Sequence, residues 1–429
     1  MTPALEKLAL EGGPKTKKRP YRTGRRYGRR ELKLLAEALE SDWLFGLHGK
    51  KTAKMCRTFA DLLGTKHCAA TSSGTAAVHV ALGALGIRPG DEVITSPVTD
   101  FGSIVGILYQ NAIPIFADID SHTYNITAKS IEANITRKTR AILVVHLAGN
   151  PADMNAIMKV ARKHKLDVVE DCAQAYLAKY RRRFVGTLGR VGCFSLNNTK
   201  HISSGDGGMV VTNDDVLADR IAGFADKLYS RIKGNRLAGL LEIPQLAPNY
   251  RMTELQAAVA IAQIGKLEGI CRRHHDIGTA YTKGLTGIPG IHPHKVTAGA
   301  HATWWFYMFR VDEDVLGVSR DDFQRALAAE GVLAYAGYIP KPVYQWKVLK
   351  RRTIYPGSKC PYDCKHTRKG ITYPKGLCPE AERVLATGVR LAVNRFFSAT
   401  DVRETVNAVR KVAAHYLNKQ GIKLKQTKR

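Results

Sequence analysis

The chain has 429 residues, 45% of them hydrophobic and 24% charged, which excludes a disordered or fibrous class and suits a globular protein of two domains. Lys and Arg outnumber Asp and Glu by 66 to 37, a net charge of +29 that favours anionic partners. The longest apolar runs, such as 141–147, suit buried strands and are far too short to span a bilayer.

In chain order, residues 1–13 carry Glu6 and Glu11 and lack a basic segment followed by a long apolar core, so no signal peptide is expected. Residues 15–33 are about half basic, and 423–429 are basic too. Such patches attract nucleotide-linked or phosphorylated substrates, nucleic acid or a membrane surface, or simply form a solvated basic surface. A helix is predicted over 31–41 with Leu32, Leu35, Ala36 and Leu39 on one apolar face, and a second over 51–63. Strands are predicted at 68–71, 92–96, 113–116, 141–147, 167–170, 192–196 and 208–212. Helices fit 75–85, 101–109, 130–134, 154–164 and 217–229 between and after them. This alternation implies an α/β domain with a largely parallel sheet. Cys68, Cys172 and Cys193 sit in strand-like runs as free buried thiols, which points to a reducing cytoplasm.

The pattern changes near residue 250. One long helix is predicted over 252–272, with Ala257, Ala258, Ile261, Ala262 and Leu267 as its apolar stripe. A strand-like run at 303–311, a helix at 320–330, an irregular stretch at 343–377 and a helix at 400–417 read as a smaller α+β domain.

Four segments carry candidate chemistry. Thr71-Ser72-Ser73-Gly74-Thr75-Ala76-Ala77 lies between a strand and a helix, where small residues and free N–H groups suit a phosphate; an ordinary helix cap reads the same way. Glu170-Asp171 ends an apolar strand, where ligands sit in open α/β sheets and a carboxylate can hold a cationic ring nitrogen; a surface turn or a helix cap reads the same way. Lys200 stands between a strand and a glycine-rich turn, and a partly desolvated lysine can form a Schiff base; a solvated loop lysine reads the same way. Asn249-Tyr250-Arg251-Met252-Thr253 opens the long helix, with Thr253 as its cap.

In this order and spacing the four segments resemble the DegT/DnrJ/EryC1/StrS family of sugar aminotransferases, over about residues 8–417. LALEGGP near the start, GIRPGDEVITSP at 86–97, DIDSHTYNI at 118–126, VVHLAGNPADM at 144–154 and GRVGCFSL at 189–196 add to the resemblance. It implies an aspartate aminotransferase-like fold (fold type I): a large domain with a seven-stranded, mainly parallel sheet, 1–265 with the N-terminal arm, and a small C-terminal domain, 266–429. It also implies pyridoxal 5'-phosphate as cofactor. Lys200 matches the lysine that forms the internal aldimine and shuttles the proton. Asp171 matches the acid that pairs with the pyridine nitrogen, and Gln174 the contact to the ring hydroxyl. Gly74, Thr75 and Ser195 match the phosphate contacts. Asn249 matches a residue that reaches the phosphate of the neighbouring subunit, which implies a homodimer with shared active sites. The family usually stacks an aromatic ring on the cofactor where this chain has Asp100; either Phe101, which follows, swings in, or Asp100 makes a polar contact.

The expected reaction moves an amino group from glutamate or glutamine to a keto sugar or a keto-cyclitol. A sugar dehydratase of the same family generally replaces the lysine with histidine; here the lysine is present, with His201 beside it. The remaining reading is a basic nucleic-acid-binding protein on an enzyme scaffold, but the arm holds aromatics only at Tyr21 and Tyr27 and no nucleic-acid motif is found. No metal is expected: Cys360, Cys364, His366 and Cys378 have loose spacing for zinc. His146 reads as a satisfied core histidine or a pocket-lining one. Arg181-Arg182-Arg183 reads as a solvated hairpin or an attractor of an anionic substrate.

Overall fold

A computed structural model describes residues 7–47, 49–228 and 245–422. Helices α1 (Arg29–Glu40) and α2 (Lys50–Leu63) lead into β1 (His67–Thr71), α3 (Gly74–Ala84), β2 (Glu92–Thr95), α4 (Phe101–Tyr109), β3 (Ile113–Phe116), α5 (Ala128–Ala133), β4 (Thr139–Val145), α6 (Met154–His164) and β5 (Asp167–Asp171). A short hairpin of β6 (Lys179–Tyr180) and β7 (Arg183–Phe184) precedes β8 (Val191–Ser195), β9 (Gly208–Thr212) and α7 (Asp215–Phe224). Then follow α8 (Glu254–Ile264), α9 (Leu267–Leu285), β10 (Ile291–His292), β11 (Ala300–His301), β12 (Tyr307–Val311), α10 (Glu313–Leu316) and α11 (Arg320–Ala329). The chain continues with β13 (Ala334–Ala336), α12 (Lys347–Lys350), α13 (Pro379–Thr387), β14 (Gly388–Leu391) and α14 (Ala399–Lys419).

The large sheet has seven strands in the order β1-β9-β8-β5-β4-β2-β3, mostly parallel, with β9 antiparallel to both neighbours. Alternate residues of a strand face opposite layers. On β4, Ala141 and Leu143 pack with α3 and α7, while Ile142 and Val144 pack on the other side with α4 and α6. A smaller four-stranded sheet, β10-β12-β14-β13, shares its core with α9, α11 and α14. Together these give the expected fold type I architecture.

Two expectations need correction. The stretch 252–272 is two helices, because the α8 register ends at Gly265 and α9 begins anew after Lys266. The helix near 217–229 ends at Phe224; Tyr229 lies outside the described residues, as does the basic stretch 423–429. The apolar face predicted on α1 is present but exposed: Leu32 and Leu39 are 68% and 59% exposed, while Glu31 and Ala38 are buried. Glu31 takes that place because Gln263 and Lys266 both bond its carboxylate.

The basic N-terminal arm is tied to the C-terminal helix. The Lys17 ammonium is buried against Asp401 at 2.6 Å and Glu404 at 3.1 Å, and Glu330 accepts from the Ala9 and Thr16 N–H groups and the Thr16 hydroxyl. Burial alone would raise the Asp401 pKa, but Lys17, Ser398 and the Arg22 N–H hold it at about 2. A carboxylate depressed below its unfolded value near ~3.9 stabilises the fold above that pH and loses the effect as pH falls through the folded value. Wild type is therefore expected to unfold at higher denaturant than Asp401→Asn at pH 6, with the gap closing between about pH 4 and pH 2. A gap that does not change with pH contradicts this.

Candidate active site

Strand polarity collects the site. Ligands in open α/β sheets gather beyond the carboxyl ends of the parallel strands, and here β5 ends on Asp171 while β8 runs into the loop that carries Lys200. The α3 N-terminus faces the same space. A cavity of about 210 Å³ results, in which Gly74, Thr75, Asp171, Gln174, Ser195 and Lys200 all take part.

Each group is held from behind. Asp171 accepts from the Ala173 N–H at 3.0 Å through Oδ1 and from the Ser103 hydroxyl at 2.7 Å through Oδ2. Ser103 is in turn 2.8 Å from the Thr99 hydroxyl. Gln174 accepts from the Ala148 N–H at 2.8 Å and donates to the Tyr338 hydroxyl at 3.1 Å, so its amide orientation is set at both ends. Ser73 caps α3 by accepting from the Ala76 N–H at 3.0 Å. Gly74 lets that turn sit against β8, since a Cβ there would lie 2.5 Å from the Ser195 Cβ.

Lys200 is buried, and its ammonium lies 3.8 Å from the Trp305 ring centroid. Burial pushes its pKa below the ordinary lysine value, while Asp171 and Asp100 favour the charged form. The Lys200 carbonyl accepts from Arg26 of the N-terminal arm at 3.1 Å, and Trp305 donates to the Thr199 carbonyl at 2.7 Å. An amine so desolvated is a competent nucleophile and proton carrier.

The two carboxylates that end β5 point to opposite faces. Asp171 faces the cavity. Glu170 is buried on the other side, where it accepts from the Gly186, Leu188 and Gly189 N–H groups and bonds His146 at 2.9 Å. His146 is thereby a satisfied core histidine, with Nδ1 accepting from the Ala152 N–H.

Of the residues foreseen as cofactor contacts, Phe101 lies elsewhere, and Asn249, assigned to the neighbouring subunit's site, lies outside this cavity. Phe101 does not line the cavity; its ring stacks on Trp346 at 5.1 Å between centroids. Asp100 lines the cavity instead and caps α4 by accepting from the Gly102 N–H at 2.8 Å, which turns the next side chain outward. Asn249 is exposed and outside the cavity wall; its side chain accepts from the Arg251 N–H at 3.4 Å. Ser103, Tyr338 and Trp305 were not foreseen, and for Trp305 the aromatic run Trp304-Trp305-Phe306 was the available signal. Among the described residues, Cys360, Cys364, His366 and Cys378 form no three-ligand cluster.

The chain matches the DegT/DnrJ/EryC1/StrS aminotransferase family over residues 26–410. It is 37% identical to the spore coat polysaccharide biosynthesis protein SpsC of Bacillus subtilis, over 81% of this chain and 90% of that protein. It is also 37% identical to a putative L-glutamine:3-amino-2,3-dideoxy-scyllo-inosose aminotransferase of Streptoalloteichus tenebrarius, over 76% of this chain and 78% of that one. The structure of DesI in the presence of its TDP-sugar product superposes with a TM-score of 0.80 at 26% identity, covering 97% of this chain and 99% of that chain.

The tight approach at Gly74 makes a prediction. Gly74→Ala forces the α3 turn away from β8 and is expected to cost about 1–3 kcal/mol in denaturant unfolding; stability equal to wild type contradicts the packing described.

Proposed function

This chain belongs to the DegT/DnrJ/EryC1/StrS aminotransferase family, and on that premise we propose that it uses pyridoxal 5'-phosphate at Lys200 to move an amino group from glutamate or glutamine to a keto sugar or keto-cyclitol. The observation that carries this reading is a buried lysine amine sharing one cavity with a buried carboxylate and a helix N-terminus.

The residues suit the cofactor. A phosphate finds N–H groups and the Thr75 hydroxyl at the α3 N-terminus, with the Ser195 hydroxyl beside them. Asp171, held by Ser103 and the Ala173 N–H, keeps a proton on the ring nitrogen. Gln174, fixed between Ala148 and Tyr338, orients the ring hydroxyl. When bound, pyridoxal phosphate supplies an electron sink and carries the amino group from donor to acceptor.

The chain's own groups do the rest. The Lys200 amine, less of it protonated because burial lowers its pKa, takes and returns the proton at the substrate carbon that bears nitrogen. Trp305 covers that amine and keeps water from it. The donor leaves as its 2-oxo acid, and the acceptor's carbonyl carbon becomes an amine-bearing carbon.

A homodimer is part of the proposal. The exposed Leu32, Leu39, Trp43, Leu44 and Phe45 supply an apolar surface for a second copy, and the exposed Asn249 is free to reach that copy's phosphate site. The division into 1–265 and 266–429 is retained as a proposal, although Leu8 packs in the core of the smaller sheet. The eight free cysteines support a cytoplasmic setting. No described helix is long and apolar enough to cross a membrane.

The test follows nitrogen. With amine-labelled glutamine, pyridoxal phosphate and a panel of keto sugars and keto-cyclitols, wild type is expected to give a labelled amino product by mass spectrometry. Lys200→Ala should lower that turnover at least about 100-fold with its unfolding midpoint kept. A variant within tenfold of wild type would sink the assignment.

A further inference from the structure

The basic hairpin that the catalytic reading leaves unused lines a second cavity, of about 540 Å³. Its turn, Arg181-Arg182, takes positive φ at both residues and joins β6 to β7. On one side β11 pairs with β6; on the other stands α9.

The rim is cationic. Lys179, Arg182 and Arg272 line it, and none of the three forms an ion pair among the described residues. Lys179 rests 4.6 Å from the Phe184 ring centroid, which fixes its direction without neutralising it. His275 and His301 stack at 3.8 Å between centroids across the cavity wall. The acidic groups nearby are Glu268 on the rim and Asp276 on α9. The wall also holds Thr303, which is fully buried and whose hydroxyl has no hydrogen-bond partner. A buried polar atom left unpaired is costly, and a ligand oxygen at this wall would satisfy it.

Two guanidiniums, an ammonium, two imidazoles and an unspent hydroxyl around one hollow match a group with several anionic oxygens. We propose that this cavity binds the diphosphate group of a small molecule, at a site separate from the Lys200 cavity. It goes beyond the aminotransferase reading and does not depend on it. The site is linked to the catalytic loop all the same, because the Thr303 carbonyl bonds the His201 imidazole at 2.9 Å, next to Lys200.

Protons enter through His301. Burial, His275 and Lys179 hold its pKa below the ordinary value, against Asp276. A bound anion favours the charged ring, so affinity rises as pH falls through the histidine range.

Isothermal titration of the full chain with inorganic pyrophosphate and, separately, ADP tests the proposal, with and without added pyridoxal phosphate. Saturable binding is expected that survives pyridoxal phosphate and is tighter at pH 6 than at pH 8. Arg182→Ala/Arg272→Ala should weaken it by about tenfold or more, and a matched loss of two exposed charges, Lys15→Ala/Lys18→Ala, by less than about twofold. Thr303→Val, which replaces the unpartnered hydroxyl with a methyl of similar size, should weaken it by about threefold or more with the unfolding midpoint kept. Tighter binding of ADP than of pyrophosphate, lost in the same variants, supports the site and identifies a nucleoside diphosphate as the source. No saturable binding of either probe overturns the proposal. So does binding that pyridoxal phosphate abolishes, or that neither the arginine pair nor Thr303→Val weakens.

Discussion

Everything at the proposed active site depends on keeping the Lys200 amine out of water beside a carboxylate. Withdrawing an ammonium from water is costly, and the cost falls if the group gives up its proton. Asp171 and Asp100 offset part of that cost, while the Trp305 ring offers the cation a face in place of solvent. The neighbouring histidines add no further charge: burial pushes His201 down to about 4 and holds His274 well below the ordinary histidine value, so both stay neutral near pH 7. Lys200 thus gives up its proton more readily than an exposed lysine, as a proton carrier requires.

The sheet makes that placement affordable to geometry. Asp171 is the last residue of a central parallel strand, and β8 turns back into antiparallel β9 directly after delivering the Lys200 loop. Glu170, one residue earlier and on the opposite face, locks residues 186–189 with three N–H bonds. One strand therefore fixes the cavity floor and the segment that leads into β8. The N-terminal arm closes the arrangement: Lys17 anchors it to α14, and Arg26 holds the Lys200 carbonyl. Part of the chain's net +29 is thus spent on buried or bonded structure rather than on a solvated surface.

Much of this was legible in the amino-acid sequence. Short β-branched runs alternating with helix-length segments located the strands of the large sheet, because fully buried parallel strands carry an unbroken apolar signal. The residues Gly74, Thr75, Asp171, Gln174, Ser195 and Lys200 lie in motif-bearing segments and were assigned by the family resemblance, and the fold brings them into one cavity. What local pattern could not convey was contact across distance. Trp305 and Tyr338 reach the site from the C-terminal part of the chain, and no spacing near Lys200 announces them. Phe101 illustrates the same limit: the Asp100 cap sets the α4 register, and the partner that attracts the ring, Trp346, lies in the irregular stretch at 343–377. The α1 stripe is an apolar face whose Leu32 and Leu39 stay exposed, since periodicity finds a face but not what covers it.

The central claim is that one lysine among many, Lys200, is the group that engages the cofactor. Borohydride reduction of the pyridoxal phosphate-loaded protein, followed by proteolysis and mass mapping, tests it most directly. The account predicts a single dominant adduct on Lys200, because burial leaves more of that amine neutral than of the exposed lysines. An adduct spread over surface lysines, or absent from Lys200, would contradict it.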